Sequence, residues 1–425
     1  MKKAVLSNRI YLEVEREYGD FLKEELSYAI PSFQNPDQPL IIRNFNIIRP
    51  GLMSIPIGRT DLIPEGYEVK DKRVLVEANF PEFKGTLRDS QQLIHDQLTD
   101  NCIINAKPSW GKTFAGLKIA GKLKQKTLVV VHTVPLRNQW AREVEKVYGI
   151  TPGIIGSSKF NISSPIVIGN VQSLYNCMDK IQKEFGTVIL DEMHHVSSPT
   201  FSRVMDKSYA RYKIGLSGTI KRKDGKDVVF CDYFGNTIYR PPPENAMTPE
   251  VDVIDCGIAL PEIIGNHWAL RVNKLMEMPE YLALVIRLAE HYSKKNHKVL
   301  VLQDRVEFAQ LGTENRPKAV AITGKLKEGR EEEMARIFTD MDEIWGITSI
   351  FKEGISLDIL SCLILAGPVN NEPMLEQLVG RIQRPMPNKQ QPKLVDIKLS
   401  GWTGSKQFQA RLGFYMRMGY KINYI

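Results

Sequence analysis

The chain has 425 residues, 43% of them hydrophobic and 25% charged, which is enough for two or three globular domains with sizeable apolar cores. This composition argues against a disordered chain, and the formal net charge of +8 is compatible with a polyanionic partner without identifying one. The five cysteines are far apart, which argues against a disulfide framework or a cysteine zinc site and favours reduced thiols. No secretion signal and no apolar run of about 20 residues is recognisable, so we expect a cytoplasmic protein without a membrane partner.

Residues 1–84 are predicted to form a small α+β accessory domain. Short β-like runs at residues 40–42 and 52–55 lie between turn signals such as Pro50-Gly51 and Glu65-Gly66. From residue 85 the pattern changes to apolar strands that alternate with helices, which is typical of a buried parallel sheet. We predict strands at residues 102–104, 127–132, 166–169 and 187–190, and helices at residues 114–122 and 135–148.

A proline-rich segment at residues 241–249 separates this α/β region from a second one. Its Pro241-Pro242-Pro243 run, followed by Pro249, is predicted to form a stiff linker. The alternation then restarts, with strands predicted at residues 251–258, 298–303, 319–322, 343–349, 362–366 and 394–397 and a helix at 279–292. The predicted organisation is an accessory domain at 1–84, a first α/β domain at 85–240, the linker at 241–249 and a second α/β domain at 250–425.

A phosphate-binding loop follows the first predicted strand of the first α/β domain. It has the Walker A pattern, with Ala106 as its small first residue and with Ser109, Gly111, Lys112 and Thr113 ahead of a helix. Backbone N–H groups of such a loop wrap a phosphate at the start of the helix. Lys112 is expected to bridge the β- and γ-phosphates of ATP, and the Thr113 hydroxyl is expected to bind Mg²⁺.

Two carboxylates, Asp191 and Glu192, come directly after a later apolar strand of the same domain. Strand ends at this edge of a parallel sheet are where ligands bind, so we expect Asp191 to hold Mg²⁺ and Glu192 to activate the attacking water. Adjacent histidines point in different directions, which disfavours a metal site at His194 and His195. His194 is instead predicted to link the nucleotide site to the neighbouring motif.

From about residue 87 to residue 384, the segments resemble those of the superfamily 2 helicases of the DExH type, in the family's order. Gln91 stands where the family contacts adenine. Ser217-Gly218-Thr219 stands where the family has Ser-Ala-Thr, which couples hydrolysis to strand movement and assigns coupling roles to Ser217 and Thr219. The resemblance also implies that the first α/β domain contacts nucleic acid through Thr133, Arg137, Gln172 and Ser173.

The second α/β domain continues this resemblance. Residues 377–384 match the family's sixth motif, which implies a coupling role for Gln377 and places Arg381 and Arg384 at the γ-phosphate as arginine fingers. Gly354 lies in a segment like the fifth motif and is expected at the ATP, although Ser356 replaces the family's usual aspartate. Further nucleic-acid contacts are implied for Arg305, Thr323, Gly324 and Thr348.

The resemblance implies two tandem RecA-like parallel-sheet domains behind a small N-terminal α+β domain. It also implies an ATP- and Mg²⁺-dependent DNA helicase or translocase that acts on single-stranded, forked or branched DNA. The Gln139-Trp140 pair, residues 380–384 and residues 54–59 favour the phage UvsW-like and XPB-like DNA helicases within the family. Their known work implies recombination or repair, the host cytoplasm for a phage protein, and an N-terminal module that grips duplex or branched DNA.

Several hypotheses about the function are compatible with the sequence. The same motor could move along double-stranded DNA without separating it, act on RNA, or drive a restriction system. A regulatory ATPase that uses closure to present a binding surface is a fourth possibility, against which the intact Glu192 and the paired arginines argue. Polarity, preferred junction and oligomeric state do not follow from the sequence.

Overall fold

The computed structural model describes residues 2–30, 39–218, 226–242, 244, 246–262, 268–324, 337, 339–351, 358–369 and 372–425. The Cα positions group the chain into two units, one comprising residues 1–107 and 111–243 and the other residues 108–110 and 244–425. Each unit contains one large sheet whose strands are mostly parallel. Within the described residues, no helix combines the length and the apolar character needed to cross a membrane.

The N-terminal part of the first unit is a small module of short strands and one helix. Its elements are β1 (Lys3–Leu6), β2 (Ile10–Glu13), α1 (Arg16–Glu25), β3 (Ser27–Ile30), β4 (Leu40–Arg43), β5 (Asn46–Arg49), β6 (Leu52–Ile55) and β7 (Glu68–Asp71). The main sheet has the order β5-β6-β2-β1-β7, and β3 pairs with β4 separately. Ala4 and Leu6 lie opposite Leu12 and Ile10, and all four are buried, so one face of this sheet forms the core.

The rest of the first unit is a sheet covered by helices on both faces. Its elements are α2 (Asp89–Gln97), β8 (Cys102–Asn105), α3 (Lys112–Leu123), β9 (Thr127–Val131), α4 (Val134–Tyr148), β10 (Gly153–Gly156), β11 (Lys159–Phe160), β12 (Ile166–Asn170), α5 (Val171–Ile181), β13 (Thr187–Asp191), α6 (Pro199–Lys207), β14 (Tyr212–Ser217), α7 (Phe230–Phe234) and β15 (Ile238–Tyr239). The strand order is β11-β10-β12-β9-β13-β14-β8-β15, with only the β10–β11 pair antiparallel. All residues of β9, β12 and β13 are buried, as expected for strands covered on both faces.

The second unit repeats this architecture with an all-parallel sheet. Its elements are β16 (Glu250–Ala259), α8 (Trp268–Met276), α9 (Pro279–Ser293), β17 (Val299–Gln303), α10 (Val306–Thr313), β18 (Ala319–Ile322), β19 (Glu343–Ile347), α11 (Thr348–Phe351), β20 (Cys362–Leu365), α12 (Glu372–Ile382), β21 (Lys393–Ser400), α13 (Gly401–Arg417) and β22 (Lys421–Tyr424). The strand order is β18-β19-β17-β20-β21-β16-β22. Its buried strands supply the apolar core between the covering helices.

The predicted alternation of buried strands and helices is confirmed in both units, and the observed element ends differ from the predicted ones by at most three residues. The strand predicted at residues 343–349 ends at Ile347, and Thr348 begins the short helix α11. The Thr348 hydroxyl donates to the backbone oxygen of Gln303 at 3.2 Å, a bond that holds the start of α11 beside the neighbouring strand. The domain boundaries at residues 84, 240 and 250 stay predictions.

A buried polar network holds the N-terminal module against the first large sheet. The Asp232 carboxylate on α7 is fully buried, and it accepts hydrogen bonds from the Tyr28 hydroxyl at 2.9 Å and from the Asn44 amide at 2.8 Å. The Arg59 guanidinium lies 3.7 Å from the same carboxylate. Burial raises the pKa of Asp232 to about 6, and the hydrogen bonds from Asn44 and Tyr28 and the Arg59 charge act in the opposite direction. A second contact runs from Arg9 to Asp206 on α6 at 2.8 Å.

The substitution Asp232→Ala is expected to lower the free energy of unfolding by about 2–4 kcal/mol, because it removes the acceptor of two partly buried donors and opens a cavity. Urea unfolding of the full chain measures this loss. Asp20→Ala is the matched control, since Asp20 makes an exposed pair with Lys23 on α1 and its removal is expected to leave the unfolding curve in place. Equal unfolding curves for the two variants would contradict the anchoring role of Asp232.

Candidate active site

The order of strands in the first unit brings three predicted motifs to one edge of its sheet. Strand β14 lies between β13 and β8, with Asp191 opposite Leu216 and Ser217 opposite Asn105. The Ala106 N–H donates to the Ser217 backbone oxygen at 2.9 Å. The phosphate loop after β8, the acidic end of β13 and Ser217 at the end of β14 are therefore neighbours, as the carboxyl ends of adjacent parallel strands must be.

The phosphate loop has a backbone shaped for close approach of a ligand. Ser109 and Gly111 have φ angles of 71° and 86°, and α3 begins directly after them at Lys112. A Cβ atom at position 111 would lie 2.8 Å from the Gln91 amide nitrogen and 3.1 Å from the Arg88 guanidinium, so both the φ angle and the close contact favour glycine there. Gln91 is 3% exposed and is thus held against the loop, where it was predicted to contact adenine.

Two polar groups of the loop point to a phosphate as its ligand. The Lys112 ammonium donates to the Ala106 backbone oxygen at 3.1 Å, which keeps the lysine folded over the loop. The Ser109 hydroxyl oxygen is buried and has no hydrogen-bond partner among the described residues. Donors of this kind around a helix start are what a phosphate requires.

The Asp191 carboxylate is held by a residue that the sequence did not single out for this role. The indole N–H of Trp140 on α4 donates to Asp191 Oδ2 at 2.7 Å, and the Glu192 N–H donates to Oδ1 at 3.0 Å. Asp191 is 6% exposed, and burial, reinforced by the neighbouring Glu192 charge, raises its pKa. A buried carboxylate of this kind fits the oxygen ligand set of Mg²⁺, because an adjacent cation favours its charged form.

Glu192 has the environment of a charged base. Burial acts to raise its pKa, but the His194 contact and the charges of Lys112 and His132 outweigh burial and lower the pKa to about 2. Its φ angle of 50° is in the left-handed region, which is uncommon for a residue with a side chain and is found at functional turns. The carboxylate is therefore ionised near neutral pH and able to accept a proton from water.

His194 lies between the carboxylate and the neighbouring motif. Its Nδ1 atom is 3.2 Å from Glu192 Oε2 and 3.2 Å from the Ser217 hydroxyl. The structure thus brings the predicted coupling residues His194 and Ser217 together, with His194 also beside the predicted base Glu192. Thr219, another residue with a predicted coupling role, lies outside the described residues.

The predicted nucleic-acid residues of the first unit lie at the ends of the adjacent strands β9 and β12. Thr133 caps α4 by accepting from the Leu136 N–H at 3.4 Å, and Gln172 and Ser173 lie in the first turn of α5, with Gln172 exposed. Arg137 differs, because it is 2% exposed and donates to Ser157 at 3.0 Å and to Asn170 at 3.1 Å. Because Arg137 is buried, the direct contact with nucleic acid that was predicted for it is not supported. Its hydrogen bonds instead connect the loop after β10 with the end of β12.

The corresponding residues of the second unit follow the adjacent strands β18, β19 and β17. Thr323 is half-buried and Gly324 exposed, and Arg305 bonds to the Asn273 side chain and to the Asp304 backbone oxygen at 2.9 Å. Thr348 is 3% exposed, so the direct strand contact predicted for it is likewise not supported.

The sixth motif lies on and just after α12. Gln377 and Arg381 are four residues apart on this helix and therefore share a face, and both are half-buried. Arg384 follows the helix end and pairs with Asp358 at 2.8 Å. Sequence reasoning missed Asp358, which no motif marks. Gly354 lies outside the described residues, and the approach of Arg381 and Arg384 to a phosphate stays a prediction.

Comparison with protein families and with other proteins shows which known proteins this chain is similar to. Residues 84–222 match the family model described as "Type III restriction enzyme, res subunit". The chain is 39% identical over 432 residues to the probable helicase D10 of Escherichia phage T5, an alignment that covers 99% of this chain and 95% of that one. It is 34% identical over 232 residues to the DNA 3'-5' translocase XPB2 of Sulfurisphaera tokodaii, which covers 53% of this chain and 46% of the relative.

A solved structure supports the fold. Dbp5 of S. cerevisiae, bound to RNA and ADP BeF3, matches 79% of this chain and 89% of its own length with a TM-score of 0.59 and 11% identity. This likeness concerns the fold alone. It confirms the predicted class of two tandem RecA-like α/β domains, to which this chain adds the small N-terminal module.

The substitution Trp140→Phe is expected to lower kcat for ATP hydrolysis about tenfold to hundredfold, because a hydrogen bond to a charged acceptor contributes roughly 1.5–3 kcal/mol. Steady-state hydrolysis assays measure this loss. Trp345→Phe is the matched control: Trp345 is also fully buried, and its indole lies 3.5 Å from the Glu343 carboxylate in the second unit. If both variants hydrolyse ATP at the same rate, Trp140 does not act through Asp191.

Proposed function

Because the chain belongs to the superfamily 2 helicases and is a nucleic-acid-dependent ATPase, we propose that its polynucleotide is DNA and that hydrolysis drives the unwinding or branch migration of forked or branched DNA. The observation that carries the catalytic part is the cluster of the buried Asp191 with the half-buried Lys112, Glu192 and His194 at one sheet edge. The XPB2 relative is named as a DNA translocase, which supports DNA as the substrate.

On the nucleotide side, each residue of the cluster has a separate task. Lys112 exchanges its bond to the Ala106 oxygen for phosphate oxygens, and Gln91 contacts the adenine. The Thr113 hydroxyl and the Asp191 carboxylate would hold Mg²⁺, which when bound would supply positive charge beside the phosphates. Trp140 keeps Asp191 oriented, and Glu192 takes a proton from the water that attacks the γ-phosphate.

The second unit completes the cycle in this proposal. Arg381 and Arg384 stabilise the charge that develops on the γ-phosphate, and Arg384 gives up its bond to Asp358 when it does so. Hydrolysis then releases these arginines. The path from Glu192 through His194 to Ser217 reports the loss of the γ-phosphate to the strand-contacting loops.

On the polynucleotide side, we propose that Thr133, Gln172, Ser173, Arg305, Thr323 and Gly324 contact the sugar-phosphate backbone, while Arg137 and Thr348 support the loops from below. Backbone contacts of this kind carry little sequence information, so a motor that moves along DNA can use them at every step. The N-terminal module, anchored through Asp232, would grip the duplex part of a fork. The phage relative suggests the host cytoplasm as the place of action.

Two alternatives keep the same ATP site and change only the output. A double-stranded DNA translocase would hydrolyse ATP on duplex DNA without separating its strands, and an RNA helicase would respond to RNA instead. The presence of Glu192 beside Asp191 supports a motor over a regulatory ATPase, because a protein that only senses ATP does not need a base for fast hydrolysis.

ATP hydrolysis should be strongly stimulated by DNA and weakly by RNA, with forked DNA stimulating more than single-stranded DNA if the N-terminal module grips the duplex. Glu192→Gln should lower the stimulated rate by roughly 10²–10⁴, because general-base catalysis contributes a factor of that size. Rates measured without polynucleotide, with single-stranded DNA, with forked DNA and with RNA test this. A hydrolysis rate that no polynucleotide changes would contradict the proposal of a motor. Stimulation by RNA alone would mean that the substrate is RNA and not DNA.

A further inference from the structure

Trp402 is the most exposed of the large apolar side chains in the described part of the chain. Its side chain is 76% accessible to solvent in the first turn of α13, and the Lys406 ammonium, one helical turn later, lies 5.0 Å from the centre of its ring. An indole ring has a large apolar face, and in Trp402 most of this face is open to solvent and available for stacking. The fold itself does not need this indole.

The position of Trp402 in the fold connects it with the predicted nucleic-acid residues of the second unit. Strand β21 ends at Ser400, and it runs parallel to β20, which runs parallel to β17 and, through it, to β19. The carboxyl ends of parallel strands meet at one edge of a sheet. The first turn of α13 therefore lies on the same edge as Arg305 after β17 and Gly324 after β18.

Helix α8 forms a physical bridge between these two places. At one side, Arg305 donates to the Ala269 backbone oxygen at 3.4 Å and bonds to Asn273. At the other side, Arg271 donates to the Thr403 hydroxyl at 3.2 Å, next to Trp402. The same helix begins at Trp268, which is 42% exposed. Arg305 and Thr403, the residue beside the exposed indole, are thus both hydrogen-bonded to α8.

The charge of α13 favours a polyanion over a protein partner of mixed charge. Residues 401–417 contain no Asp or Glu, and Lys406 provides a cation beside the ring. The other two basic residues of the helix are paired, Arg411 with Asp396 and Arg417 with Glu372. A cation beside an exposed aromatic ring suits a single strand, whose bases stack on rings and whose phosphates contact cations.

We propose that Trp402 is a base-stacking platform for single-stranded DNA, with Lys406 contacting the adjacent phosphate. The indole face opposite Lys406 takes the base. The platform lengthens the strand path from the edge formed by Arg305, Thr323 and Gly324 towards β21. It deepens the proposed function, since it presumes that the second unit holds a DNA strand.

The test compares Trp402→Ala, Trp402→Phe and Lys406→Ala in the full chain, with Met416→Ala as the matched control. Met416 is 68% exposed on the same helix but lies more than three turns from the platform. Binding of fluorescent oligo(dT) is measured by anisotropy, and thermal unfolding checks that each variant is folded. Loss of one stacked base should weaken binding about tenfold in Trp402→Ala, while Trp402→Phe keeps most of the affinity and Met416→Ala keeps all of it.

Tryptophan emission gives a second readout that a merely structural role would not move. Stacking on a base should quench the emission of the wild-type chain when oligo(dT) is added, and this part of the quench should be missing in Trp402→Phe. Wild-type affinity and an unchanged quench in the Trp402 variants would overturn the platform and leave the indole as a protein-binding surface. Failure of the proposed function looks different, since the wild-type chain would then not bind oligo(dT) at all.

Discussion

The hydrogen bond between the Trp140 indole and the Asp191 carboxylate joins a helix to the end of a strand. Asp191 ends β13, where we propose that Mg²⁺ and ATP bind, whereas Trp140 lies on α4, which follows β9 and is capped by Thr133, a proposed nucleic-acid contact. The same helix carries Arg137, whose guanidinium holds Asn170 at the end of β12. One helix therefore contacts the ends of β13 and β12 and follows β9, so a shift of α4 would move the carboxylate proposed to hold Mg²⁺ together with the loops proposed to contact the strand.

This arrangement explains why several buried polar groups occur in an otherwise apolar sheet. A buried charge is costly unless it has partners, and Asp191 and Arg137 each have theirs from elements far away in sequence. These buried polar groups lie at the ligand edge, where groups that are already held in place need no reorganisation during the reaction. The strained backbone of Glu192 belongs to the same edge.

Much of the fold and of the nucleotide site could be predicted from the sequence. Buried parallel strands have continuous apolar runs, and the phosphate loop and the acidic strand end have local patterns that do not depend on distant residues. The solvent exposure of individual side chains could not be predicted in this way. Arg137 and Thr348 belong to motifs that suggest a surface role, but Asn170, Ser157 and Gln303, which bury or engage them, are distant in sequence.

Trp140 and Trp402 likewise show that the surroundings of a side chain do not follow from the sequence pattern around it. Trp140 was visible as part of a motif, and a buried indole must find an acceptor, but no pattern indicated that the acceptor would be Asp191. Trp402 is in a helix whose other aromatic residues, Phe408, Phe414 and Tyr415, are buried, so only the structure separates it from them.

The most direct measurement of the central claim is strand separation of a forked DNA duplex by the full chain, followed with a fluorophore and quencher on the two strands. With ATP the wild-type chain should separate the strands, whereas Glu192→Gln, and the wild-type chain with a non-hydrolysable analogue, should bind the fork and leave it paired. Strands that stay paired while the wild-type chain hydrolyses ATP rapidly on the fork would contradict the coupling of hydrolysis to unwinding.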